Sequence, residues 1–279
     1  MANIISEKID DLYSDLDDFI ESCIMSRVSR SKDQGLDKSH FTDSAFKDFD
    51  FFFLNGAAGT YESFLHWWND YKASNTWIGI TGSWRNINQK VVDDVSEIVR
   101  YIVNHGLGII TGGALGVDYI ATELSLIDGN PKKQLRVILP VKKYDYLKRL
   151  IRVSGSEINR SQLEAISGQL TYINKNFSNV IFDESQFDSK SFLEFEDYRT
   201  ACYSFRNKLI AYACDGLIPF WVNDSKGVKD TKNTVGIWQK PVLDIDDRLR
   251  YNIDSNSEKV IKDYSKLNIP NLSNKYPLE

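Results

Sequence analysis

The sequence predicts an α/β fold: a doubly wound, mostly parallel sheet with helices on both faces. Three observations carry this. Short apolar runs, WIGITGS from Trp77, GIIT from Gly108 and QLRVILPV from Gln134, alternate with helix-like segments. Those runs are apolar at successive positions, as strands buried on both faces are. The first two also end in glycine-containing turns that lead into helices, TGSWR and TGGALGVD.

The elements follow in chain order. Residues 4–30 place Ile5, Ile9, Leu12, Leu16, Phe19, Ile20 and Ile24 at helical spacing with acidic residues opposite, which predicts an amphipathic helix. Residues 31–44 are polar and predict a loop. Residues 46–74 are crowded with Phe and Trp, so one or two helices are expected there, packed on the body or on another subunit. The segment NQKVVDDVSEIVRYIVNHG predicts a helix stopped at Gly106. GVDYIATELSLID, YDYLKRLIRVSG, INRSQLEAISGQLTYINKN and SFRNKLIAYACDG predict further helices, SNVIFDESQF a strand or loop, and GLIPFWV and PVLDI strands. NDSKGVKDTKNTVGIWQK is a loop opening into a helix, and the tail after Asp247 is expected to fray or drape over the surface. The division implied is 1–75 as an aromatic-rich helical segment, 76–247 as the sheet-bearing domain, and 248–279 as a tail.

Composition narrows the function. The 279 residues carry a net charge of −5, which argues against nucleic-acid binding by bulk charge alone. The cysteines, Cys23, Cys202 and Cys214, are too few and scattered for a disulfide framework, and His40, His66 and His105 have no ligand spacing, so neither a metal site nor a cofactor is expected. No run approaches the ~20 apolar residues of a membrane span, and the acidic N-terminus is unlike a signal peptide; a cytoplasmic protein is expected.

Ligands of such sheets bind at the carboxyl ends of the strands. Glycine there lets a ligand approach the backbone, and the following helix start offers amide donors to a phosphate. That nominates Gly82, Ser83 and Arg85 from the first turn, and Gly112, Gly113, Ala114, Gly116 and Asp118 from the second. A third set comes from Arg206 and Asn207 at a helix start and Ser225, Gly227 and Thr231 in the loop after GLIPFWV. Other roles compete: glycines for tight turns and close packing, Arg206 as a buried donor to carbonyls, Asp118 as a helix cap. The loop lacks the G-x-G-x-x-G order of a dinucleotide site and a Walker lysine.

In this order the motifs GSWR, TGGALGVDYIA, RNKLIAYACD, NDSKGVKDT and KPV resemble the Rossmann-like core of DNA-processing protein A. More broadly they resemble the SLOG superfamily, which includes the Lonely guy phosphoribohydrolases. The resemblance covers about residues 77–243. It implies a nucleotide or nucleotide-derived ligand between the Gly112–Asp118 and Ser225–Thr231 loops, and adds Asp215 to the matching residues. Three functions follow: a nucleotide-binding sensor or regulatory protein, an N-glycosidase acting on a nucleotide, or a single-stranded DNA-binding protein. An N-glycosidase needs a carboxylate, for which Asp118, Glu123 and Glu196 are candidates, while the phosphoribohydrolase-like string at 55–63 is out of place. Homo-oligomers, common in the superfamily, would form through the aromatic segment.

Overall fold

The computed structural model describes residues 2–30, 51–177, 179–223, 225–243, 249–254, 259–267 and 269, with backbone alone for 2–10, 29, 30, 51 and 52. Six strands form one sheet: β1 (Trp77–Gly82), β2 (Gly108–Thr111), β3 (Leu135–Ile138), β4 (Ile181–Phe182), β5 (Gly216–Val222) and β6 (Arg250–Tyr251). Their spatial order is β4-β3-β2-β1-β5-β6, and every neighbouring pair is parallel. This is the doubly wound α/β arrangement that the apolar runs predict. Side chains alternate between faces along a strand, so burial of every residue from Trp77 to Thr81 means that both faces of β1 are covered.

Successive strands step outward from β1 to β4, and the chain then crosses to the other side of β1 to lay down β5 and β6. The carboxyl ends of β1 and β5 therefore flank the point where winding reverses, the natural crevice of this architecture. At the opposite edge Asp215 locks the same two strands together. Its carboxylate accepts the Trp77 amide at 2.8 Å and its own amide donates to the Trp77 carbonyl at 2.6 Å. Asp215 is thus a structural residue remote from the strand tips.

The helices are α1 (Ala2–Arg30), α2 (Phe51–Asn69), α3 (Gln89–Asn104), α4 (Val117–Asp128), the single turn α5 (Pro131–Gln134), α6 (Lys143–Val153), α7 (Arg160–Asn176), α8 (Ser189–Glu194), α9 (Glu196–Ala213) and α10 (Lys226–Ile237). α3 packs on α4, and α9 on α10. Asn88 caps α3 by accepting the Val91 amide, and Gly106 follows the helix at φ +77°, the left-handed stop the sequence predicts.

The described part of the aromatic segment packs into the core. Phe53, Phe64, Trp67 and Trp68 of α2 are buried. Phe64 meets Phe182 edge-on, and Trp68 meets Trp77. Glu62, His66 and Asn69 face outward. The string Asn55–Ser63 is helix throughout, and Gly56 and Gly59 make room for Phe187 and Gln186. On α1, Leu12, Leu16, Phe19 and Ile20 are buried as the spacing predicts, but Cys23 is buried where Ile24 was expected. Ile5 and Ile9 have no described side chains, and the predicted loop at 31–44 lies outside the described residues. Of PVLDI the described residues, 241–243, contribute a single bridge, Val242 to Leu217, and β6 takes the edge of the sheet. No helix among the described residues is long and apolar enough to cross a membrane.

Candidate functional site

The glycine turn after β2 is built for closeness. A methyl group on Gly116, at φ +74°, would fall 2.0 Å from the Ser83 carbonyl oxygen, and one on Gly82 would fall 2.3 Å from Val117. The turns after β1 and β2 therefore touch backbone to backbone, and the Val117 amide donates to the Ser83 carbonyl at 3.2 Å. Gly113, at φ +62°, leaves space filled by Val137 and Leu139.

Much of the expected phosphate cradle is already engaged. The Asp118 carboxylate accepts the amides of Gly112 at 3.0 Å and Ala114 at 3.4 Å, so it reaches back to the turn and does not cap the helix start as expected; the N-cap is Gly116, which makes no side-chain cap. The Gly116 amide donates to the Tyr264 hydroxyl at 2.8 Å. Tyr264 belongs to a single 3-10 turn (Tyr264–Lys266) in the tail and packs its ring on Tyr119. The tail segment 259–267 forms a strap, which Asn159 and Ser161 hold in place through the Lys262 carbonyl and the Asp263 carboxylate.

Behind the turn lies Arg206, buried, with Nη1 donating to the Gly112 carbonyl at 2.5 Å and Nε to Asn207 Oδ1 at 2.9 Å. A Gly112 methyl would collide with this guanidinium. Burial holds the Asp118 carboxyl above the ordinary carboxylate range, while the Arg206 charge and the two amide hydrogen bonds pull it back. Gly227 and Thr231, expected in a loop, lie within α10, whose first turn Asn207 faces, its Nδ2 lying 3.9 Å from where a Gly227 methyl would sit. Thr231 is buried and donates to the Gly227 carbonyl, and Ser225 is the N-cap residue of α10 without capping through its hydroxyl. The structure thus gathers Gly82, Ser83, Gly112, Gly113, Ala114, Gly116, Asp118, Arg206 and Asn207 around one turn, with Gly227 beside Asn207. Arg206 and Asp118 serve mainly to hold that turn.

Open space lies next door. A cavity of about 290 Å³ sits over the β1 turn, walled by Trp84, Arg85 and Asn86, by the α6–α7 connection from Gly155 to Asn159, and by Val260 and Lys262 of the strap. Arg85 lies over the Trp84 ring at 4.1 Å and pairs with Glu157 at 2.8 Å, while Arg149 takes the other oxygen of that carboxylate at 3.0 Å. One carboxylate is therefore shared by two guanidiniums, and Lys262 joins Arg85 as a second cation at the wall. A larger cavity, about 510 Å³, lies between α1 and α3 among Tyr13, Glu97 and Arg100, away from the strand tips. The cavity over β1 has the better claim, because it adjoins the winding reversal and carries the excess positive charge.

No family model matches the sequence, and no curated protein matches it. Solved structures similar to the chain include two of DNA processing protein A. One is DNA processing protein A from Helicobacter pylori, described for its unique single-stranded DNA binding mode, at 18% identity and a TM-score of 0.42 over 62% of this chain and 66% of that one. The other is DNA processing protein A from Streptococcus pneumoniae, at 18% identity and a TM-score of 0.39 over 60% of this chain and 49% of that one. The chain spans no more than two thirds of the length of either.

The nominated carboxylates take different places. Asp118 supports the glycine turn. Glu123 is fully buried on α4 and accepts from Gln169 Nε2 at 2.8 Å. Glu196 is exposed at the start of α9. Glu157 is the carboxylate at the open cavity, and its position after α6 gave no sign of this in the sequence. Trp84 stands inside the TGSWR motif, where an aromatic residue between Ser83 and Arg85 reads equally well as core.

Proposed function

We propose that the protein binds single-stranded DNA at the carboxyl edge of the sheet, with one nucleotide unit seated in the cavity over β1. The observation that carries this reading is the pairing of an indole, Trp84, with the cations Arg85 and Lys262 around one open cavity. A single strand needs these two features together: an aromatic surface for a base and side-chain cations for the backbone phosphates. The engaged amides of Gly112, Ala114 and Gly116 favour this over an enclosed phosphate cradle. On this reading the sheet-bearing region, 76–247, supplies most of the site and the tail supplies one wall.

A free nucleotide is the second reading. It is favoured by the size of the cavity, about 290 Å³, near the lower end of the ~300–1,000 Å³ typical of small-ligand sites.

Fluorescence anisotropy with a labelled oligo-dT tests the proposal. Binding should weaken steeply as salt rises. Arg85→Ala should cost about 1.5–3 kcal/mol, the range of a hydrogen bond to a charged group, which is roughly a 10- to 150-fold loss. Binding of a mononucleotide with no binding of the oligonucleotide would select the second reading. If Arg85→Ala left oligonucleotide affinity unchanged, the cavity would not be the site.

A further inference from the structure

α6 begins directly beyond β3, at the same edge of the sheet as the cavity, and its outer face is basic and aromatic. Tyr144 is 73% exposed and Ile151 60%. Lys148 and Arg152 stand exposed on the same helix, spaced four residues apart so that they share a face. Neither is in an ion pair among the described residues. Lys148 Nζ lies 5.9 Å over the Tyr144 ring. The acidic residue on this helix, Asp145, is buried and takes the Ser189 hydroxyl. This positive strip stands on a chain whose net charge is −5.

The strip is continuous with the cavity. Arg149, one residue after Lys148, reaches Glu157, which Arg85 grips from the cavity side. At its other flank Arg152 donates to the Leu193 carbonyl at 3.4 Å, next to the exposed acids Glu194, Glu196 and Asp197 around Phe195. A polyanion leaving the cavity is therefore repelled from the α8–α9 junction and attracted along α6.

We infer that the Tyr144–Lys148–Ile151–Arg152 face of α6 is a second contact surface for the strand, so that the ligand is held at two places along its length. The inference rests on the single-strand reading above. From Tyr144 to Ile151 the helix rises about 10 Å, the span of about three phosphates at ~3.4 Å per nucleotide of a stacked strand. The side chains suit this division, with cations for phosphates and the Tyr144 ring for a base.

The test compares a dT4 with a dT20, using the full chain and three variants: Arg85→Ala, Lys148→Glu/Arg152→Glu and Tyr144→Ala. All four substituted side chains are exposed, so each variant should fold; circular dichroism checks this. The double variant should lower dT20 affinity at least tenfold and leave dT4 unchanged. Its salt slope for dT20 should fall by about 1.4, two phosphate contacts at ~0.7 each. Arg85→Ala should weaken both lengths. Unchanged dT20 affinity in the double variant, with Arg85→Ala still weakened, overturns the α6 surface alone. The reverse pattern overturns the cavity and keeps α6. Failure of the unaltered protein to bind either length overturns both. Self-association that the double variant abolishes, without any change in DNA binding, would assign the face to a second copy of the chain and overturn the inference.

Discussion

At the scale of single residues, Tyr264 shows how little chain is needed to close a glycine turn. Its hydroxyl accepts the Gly116 amide across 148 residues of sequence. Tyr264→Phe should leave that buried donor unpaired and cost about 1–3 kcal/mol, read from the midpoint of a urea melt. Asp263, next to it, is held down to about 2 by the hydroxyls of Ser265 and Ser161, against an ordinary value of 3.8. Its folded value is depressed, so its contribution is complete above pH ~4 and is lost as pH falls through about 2. The strap should therefore loosen in that acid window, and Asp263→Asn should abolish the pH dependence; the Tyr264 ring resonances would follow it. The glycines and Asp118 were legible because bare backbone before a helix has few uses. Tyr264 was not, since a tyrosine in a polar tail has no period and no motif around it.

At the scale of elements, the strands of this sheet were legible in proportion to their burial. WIGITG, GIIT and GLIPFWV are apolar at nearly every position and became β1, β2 and β5. β4 and β6 have two residues each, too short to leave a pattern, and they were found only as an uncertain stretch and not at all. α2 was legible as helix, but its partner was not, because an aromatic cluster fits a core and an interface equally well. Its rings turn inward on Phe182, Tyr212 and Phe187. Phe64→Ala should accordingly cost about 3–5 kcal/mol in a denaturant titration, the range for a fully buried aromatic ring. The glycine turn makes a sharper test of element packing. Gly116→Ala adds a methyl at positive φ, 2.0 Å from the Ser83 oxygen. It should lower the melting temperature of the protein and not merely its affinity for a ligand.

At the scale of the whole molecule, total charge and local charge differ. The total of −5 argues against binding by bulk charge alone, while α6 with Arg85 and Lys262 concentrates cations at one edge. A ligand that binds only the folded chain should raise its stability by mass action, about 2.7 kcal/mol at a hundredfold excess over Kd. Thermal melts with oligo-dT should move upward for the unaltered protein and by a smaller shift for Arg85→Ala at the same ligand concentration. The sheet order itself was not readable from spacing, because nothing local in the sequence says on which side of β1 the chain will resume.

That order also governs how the chain is made. β1 lies between β2 and β5, and its register to β5 runs from Ile78 opposite Gly216 to Gly82 opposite Phe220. One edge of the central strand therefore waits for residues nearly 140 positions later. At the ~5–20 residues per second of synthesis, this is an interval on the order of ten seconds. Throughout it the nascent chain exposes an unpaired apolar strand, and Asp215, which clasps Trp77 from both sides of its peptide, arrives one residue before the partner that ends the exposure.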